Sequence, residues 1–141
     1  QHRFTILDVV RLRGTPRQIE DKIVATARLD GQTVWIGLPE DPGQAGKAQI
    51  SYLAGRLAGF RLVTSRETGS KITRALPFSS QVEAGNVALV RADWNYQLIE
   101  EMRDFPLGRK DDQVDAMVRA FGTLAQVKDP PRLINLSLLN R

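Results

Sequence analysis

Three aspartates within one helical turn, Asp111, Asp112 and Asp115, carry the strongest chemical signal in this chain. They open an amphipathic helix expected from about Lys110 to Val127. At about 100° per residue its apolar face takes Val114, Met117, Val118, Phe121, Leu124 and Ala125. Asp111 and Asp115 border that face, and Asp112 stands a step further out. Like charges at i,i+4 repel by a few tenths of a kcal/mol. A divalent cation reverses the penalty, because Mg²⁺ and Mn²⁺ take hard oxygen ligands. A plainer role also stands: acids in a first turn favour the helix dipole, and Asp115 can pair with Arg119. The metal reading needs a further acid from elsewhere in the chain.

The totals narrow the field. With 141 residues the chain is long enough for one domain with one core. A hydrophobic fraction of 42% beside 26% charged residues is an ordinary soluble composition. No apolar run approaches the ~18 residues a membrane span needs, and no signal peptide is visible, so no membrane partner is expected. The absence of cysteine excludes disulfides and thiolate metal sites and fits a reducing compartment. The single histidine, His2, leaves little room for histidine-based catalysis or a zinc site. A formal charge of +4 permits a polyanionic partner. Basic residues cluster at Arg66, Lys71 and Arg74 and again at Arg109 and Lys110.

The elements that must position these groups alternate at first. Phe4 to Leu12 is β-rich and reads as a strand. Thr15-Pro16 gives an N-cap with proline at the first helical position, Ile19, Ile23, Val24 and Ala27 follow at helical spacing, and Asp30-Gly31 ends the helix. Thr33 to Leu38 is a short central strand, Gln44 to Ala58 a helix, and Phe60 to Thr64 the next strand. That order implies right-handed crossovers in an α/β sheet. The alternation then stops. Ser65 to Ser80 reads as a polar, basic loop, and Gln81 to Arg91 as a hairpin turning at Gly85-Asn86. Asp93 is expected to cap a helix carrying Tyr96, Leu98, Ile99 and Met102, ended by Phe105-Pro106. Asp129-Pro130-Pro131 breaks the acidic helix. The expected division is a domain over residues 1–127 and a tail over 128–141, with an apolar segment from Leu133 to Leu139.

The further acid is sought where the central strand ends, at Glu40 and Asp41, because open α/β sheets bind ligands at that carboxyl edge. A local reason for Asp41 exists as well, an N-cap followed by Pro42. Gly43-Gln44-Ala45-Gly46-Lys47 is not a phosphate loop: two residues separate the glycines where four are needed, and Ala48 stands where Ser or Thr would bind Mg²⁺.

Five segments now occur in one order: Pro39-Glu40-Asp41-Pro42-Gly43-Gln44-Ala45-Gly46-Lys47, Ser70-Lys71-Ile72-Thr73-Arg74-Ala75, Glu83-Ala84-Gly85-Asn86-Val87, Phe105-Pro106, and Asp111-Asp112-Gln113-Val114-Asp115-Ala116. Together, over roughly residues 4 to 126, they resemble the C-terminal nuclease domain of the large terminase subunit of tailed bacteriophages and prophages. The resemblance implies a ribonuclease H-like fold, a mixed sheet flanked by helices, and cutting of concatemeric double-stranded DNA with two divalent metals, Mg²⁺ or Mn²⁺. It implies Asp41 and Asp115 as metal ligands and catalytic groups, with Asp112 and Asp111 beside them and Glu40 in reserve for Asp41. Lys71 and Arg74 would contact DNA phosphates, or simply form a solvated basic loop. Implied partners are the upstream ATPase domain, the portal and the small terminase subunit, in the bacterial host cytoplasm. No ATP hydrolysis is expected of this chain.

One departure is expected to matter. The first metal-binding Asp of such domains lies on a strand before Phe4, so the fold is expected to lack its first strand and one ligand, with Asp8 a poor substitute. Trp35 and Trp94 are expected as core or partly buried anchors, and Glu83 as an exposed strand residue. The rival readings are another ribonuclease H-like nuclease, a resolvase or transposase core, and a non-catalytic DNA-binding or assembly module.

Overall fold

The computed structural model describes residues 3–126 and a two-residue strand at Ile134–Asn135. The expectations for His2, Val127 and the rest of the tail lie outside the described residues.

The first half follows its sequence signals. Strand β1 is Phe4–Ile6, shorter than the run of β-formers around it. Helix α1, Pro16–Asp30, begins with a capping box in which Thr15 accepts from the Gln18 amide while Gln18 accepts from the Thr15 amide. It ends at Gly31, whose φ of 87° suits glycine. Strand β2 is Trp35–Pro39, helix α2 Gln44–Arg56 and strand β3 Arg61–Ser65. β2 and β3 pair in parallel, with Gly37 beside Val63 and Pro39 beside Ser65. The backbone of strand β5, Ile134–Asn135, joins the free edge of β2, also in parallel.

The two faces of β2 do different work. Ile36 and Leu38 enter a core with Ile23, Val24 and Ala27 of α1 and Leu53 and Leu57 at the end of α2. The intervening Gly37 faces the other way, against Thr123 and Arg119. These belong to helix α5, Asp112–Gln126. A side chain at position 37 would hold α5 off the sheet.

The second half departs from expectation at several points. Residues expected to form a polar loop contain helix α3, Lys71–Glu83. Ser70 caps it by accepting from the Thr73 amide, and Ala75 and Phe78 are buried. Pro77 inside it forfeits one backbone hydrogen bond without ending the helix. The expected hairpin is absent. Gly85, at φ 71°, ends α3 instead, with the Asn86 amide donating to the Gln81 carbonyl. Glu83 is accordingly the last, exposed residue of a helix. Strand β4, Val87–Leu89, pairs in parallel with β1, Phe4 beside Val87 and Ile6 beside Leu89. Helix α4, Asn95–Asp104, is not capped by Asp93. The turn before it is closed by Asn95, which accepts from the Ala92 amide and donates to the Val90 carbonyl.

The chain is thus α/β, but the described strands form two small parallel sheets, β1-β4 and β3-β2-β5, in place of one mixed sheet. A second core lies under the first of these and contains Ile6, Phe78, Leu98, Val114 and Met117. Phe121 of α5 joins sheet to helices, edge-on to Phe4 and tilted against Phe78, with centroids 5.1 and 5.8 Å away. α5 therefore touches both sheets. Trp35 and Trp94 are half-buried anchors, Trp35 under the Arg61 guanidinium.

Candidate functional site

The acids of α5 meet the basic start of α3. Asp111 stands immediately before the helix, and its carbonyl accepts from the Asp115 amide, so the two carboxylates lie one turn apart. The Lys71 ammonium donates to the Asp111 carboxylate and lies 3.6 Å from that of Asp115. One cation thus serves two carboxylates. The bond to Asp111 raises the Lys71 pKa, and burial opposes the rise. The Asp115 carboxyl titrates above its ordinary value because burial disfavours its charged form. Asp111 and Glu67 push the same way, while Lys71 and Arg74 oppose. Asp112 is raised too, by burial first and then by Asp111 and Glu101.

Beside this pair opens a cavity of about 240 Å³ whose charged lining is Arg66, Glu67, Lys71, Arg74, Asp115 and Arg119. It sits at the carboxyl end of β3, where α/β sheets place ligands. Glu67 receives Arg119 at 2.7 Å and Arg74 at 3.3 Å. Arg74 also donates to the Gly69 carbonyl at 2.9 Å. Arg66 reaches Glu40, at the end of β2, at 3.1 Å. The expected pair between Asp115 and Arg119 does not form: Arg119 turns to Glu67, leaving Asp115 to Lys71.

Glu67 was hidden in the sequence. It sits in what reads as a basic loop, and only the parallel pairing of β3 with β2 brings it over α5. A usable signal was its position two residues past a strand that ends at the sheet's carboxyl edge.

Asp41 is placed differently. The N-cap of α2 is Gly43, which makes no side-chain cap, so Asp41 is not the N-cap residue expected of it. Asp41 borders a separate cavity of about 520 Å³ between α1 and α2, and its carbonyl faces Gly46. The structure gathers Asp111, Asp115 and Lys71, with Arg74 across the same cavity. Asp41 borders another cavity. Asp8 accepts from the amide of its own neighbour Val9.

The donor set suits a hard cation: two carboxylates already gathered around a positive charge. Among the described residues no three His, Cys, Asp or Glu side chains gather as a metal-binding group.

What holds the acids in place lies behind them. Glu101 of α4 is 7% exposed and accepts from the Gln113 amide at 2.6 Å, the Val114 amide at 3.1 Å and the Gln113 side-chain amide at 2.6 Å. The first turn of an α-helix leaves its amides without helical partners, and a carboxylate there also meets the helix dipole favourably.

Comparison with known proteins gives one family. Residues 2–123 match the model of the terminase RNaseH-like domain. No curated protein and no solved structure gives a significant match.

Proposed function

This chain belongs to the terminase RNaseH-like domain family, and from that premise we propose a metal-dependent endonuclease domain of a large terminase subunit, from a tailed bacteriophage or prophage. Its substrate is concatemeric double-stranded DNA, and its cofactor is Mg²⁺ or Mn²⁺. The observation that carries this reading is the gathering of Asp111 and Asp115 around one ammonium, beside a charged cavity at the sheet's carboxyl edge.

A bound divalent metal would supply an activated water and charge neutralisation for phosphodiester hydrolysis. Asp115 and Asp111 would hold it, with Asp112 alongside. Asp41 is the proposed acid from the end of β2, with Glu40 in reserve. What supports Asp41 is its place just past the end of β2, at the carboxyl edge of the sheet. Lys71 and Arg74 neutralise backbone phosphates, a sequence-independent attraction. Arg66 and Arg119 line the same cavity and extend the basic track. The proposed partners are an upstream ATPase domain, the portal and the small terminase subunit, and the proposed compartment is the bacterial host cytoplasm.

A second reading has one observation behind it: the acids lining the cavity are already neutralised by protein cations. On that reading the domain binds DNA or assembles without cutting. Plasmid nicking in Mn²⁺ by this chain and by its Asp115→Ala variant decides between them. The nuclease reading expects nicking by this chain and its loss in Asp115→Ala. Undiminished nicking by Asp115→Ala, or none by the wild-type chain, contradicts it.

A further inference from the structure

We infer that Glu101 is the positioning residue of the acidic site: its carboxylate fixes the first turn of α5 and thereby the spacing of Asp111, Asp112 and Asp115. The inference rests on the metal reading above. It begins from an anomaly, a glutamate that is almost fully buried with no Lys or Arg among its hydrogen-bond partners. A buried carboxylate is costly unless its oxygens are satisfied. Here one oxygen takes the Gln113 and Val114 amides and the other takes the Gln113 side-chain amide.

These are the residues interleaved with the proposed ligands. Gln113 and Val114 lie between Asp112 and Asp115, so pinning their amides fixes the backbone from which both acids project. Two of the three bonds are 2.6 Å, shorter than an ordinary N–H···O bond. The anchor comes from α4, whose Leu98 is completely buried in the second core. Glu101 therefore ties the site to that core. Metal ligands depend on such supports, whose loss costs about 10- to 100-fold in metal affinity.

Gln113 adds a test of geometry against charge. Its side-chain oxygen is buried without a hydrogen-bond partner. In Glu101→Gln the new amide can donate to that oxygen once the Gln113 amide group turns over, while the remaining Glu101 oxygen position still accepts both backbone amides. Position is kept and charge is lost. In Glu101→Asp the charge is kept, but the shorter side chain withdraws from the amides. Positioning and electrostatic roles thus predict opposite orders for the two variants.

The experiment is Mn²⁺ titration by calorimetry on the full chain, with amide exchange at Gln113 and Val114 measured in the same samples. We expect Glu101→Gln to stay close to wild type in Mn²⁺ affinity and in protection of both amides. We expect Glu101→Asp to lose about tenfold or more in affinity and to lose the protection, with the far-ultraviolet circular dichroism unchanged. The inference is overturned if Glu101→Asp binds Mn²⁺ like wild type, or if Glu101→Gln is the weaker of the two. Absence of Mn²⁺ binding by the wild-type chain overturns the metal reading, and this inference with it.

Discussion

Lys71 at the start of α3 and Asp115 in the first turn of α5 lie 3.6 Å apart, with Asp111 on the other side of the same ammonium. The cation expected to contact DNA is therefore the one that neutralises the acids expected to bind metal. The two roles compete. A divalent metal entering between Asp111 and Asp115 must displace Lys71, and a displaced Lys71 is free to meet a phosphate. Removing the ammonium without adding bulk, by Lys71→Met, is predicted to tighten Mn²⁺ binding by roughly 5- to 10-fold, the effect of about 1 kcal/mol of repulsion at a half-exposed site. Calorimetric titration of the variant checks this, and unchanged or weaker affinity counts against competition.

The DNA footprint is tested through salt. Replacing both Lys71 and Arg74 by Ala is predicted to weaken duplex binding and to lower the slope of log affinity against log salt by about 2. An unchanged slope would remove the pair from the phosphate contacts.

The proposed metal site is expected to depend on pH. Burial raises the carboxyl pKa of Asp112 and of Asp115 above the ordinary 3.8. Metal binds the deprotonated form, so Mn²⁺ affinity is predicted to keep rising with pH beyond the ordinary carboxylate range and then to level off. For folding the sign is opposite. A carboxyl whose pKa is raised in the fold holds more proton there than in the unfolded chain. Stability from these two groups is thus full below about 3.8 and falls as pH climbs through their folded values. Asp115→Asn is predicted to flatten both trends, and an unchanged pH profile of affinity would contradict the assignment.

Much of the framework was legible because its signals are local. Thr15, Pro16 and Gln18 specify the start of α1 through hydrogen bonds within four residues, and Ile36 and Leu38 announce a strand buried on one face. The missed elements share a cause. Pro77 and the polar residues around it masked α3, whose buried positions Ala75 and Phe78 are held by distant partners while Ile72 and Leu76 stay exposed. Gly85-Asn86 fits a hairpin and a helix end equally well, since both use positive φ, and only the pairing of β4 with the remote β1 decides. At the site, Asp111 and Asp115 stood out as a cluster. Glu67 and Glu101 looked like ordinary surface acids, because what distinguishes them, Arg119 over one and two backbone amides on the other, is tertiary.

Two glycines hold the site's frame and give stability tests. A Cβ on Gly37 would lie 3.0 Å from the Thr123 hydroxyl oxygen, which already donates to the Arg119 carbonyl. Gly37→Val is predicted to cost about 1–3 kcal/mol by pushing α5 from β2. A Cβ on Gly46 would lie 2.7 Å from the Asp41 carbonyl carbon and closer still to its oxygen. Gly46→Ala is predicted to cost about 3 kcal/mol and to displace the turn that carries Asp41. Urea denaturation measures both, and a loss below about 0.5 kcal/mol in either would refute the packing described.

The start of α5 is proposed to bind a divalent metal through Asp115. This is tested most directly by titrating Mn²⁺ into the chain and into Asp115→Asn, which keeps the shape and removes the charge. Saturable binding by the wild-type chain, weakened about tenfold or more in the variant, is the expected result. Equal binding by the two chains, or no binding by either, would contradict it.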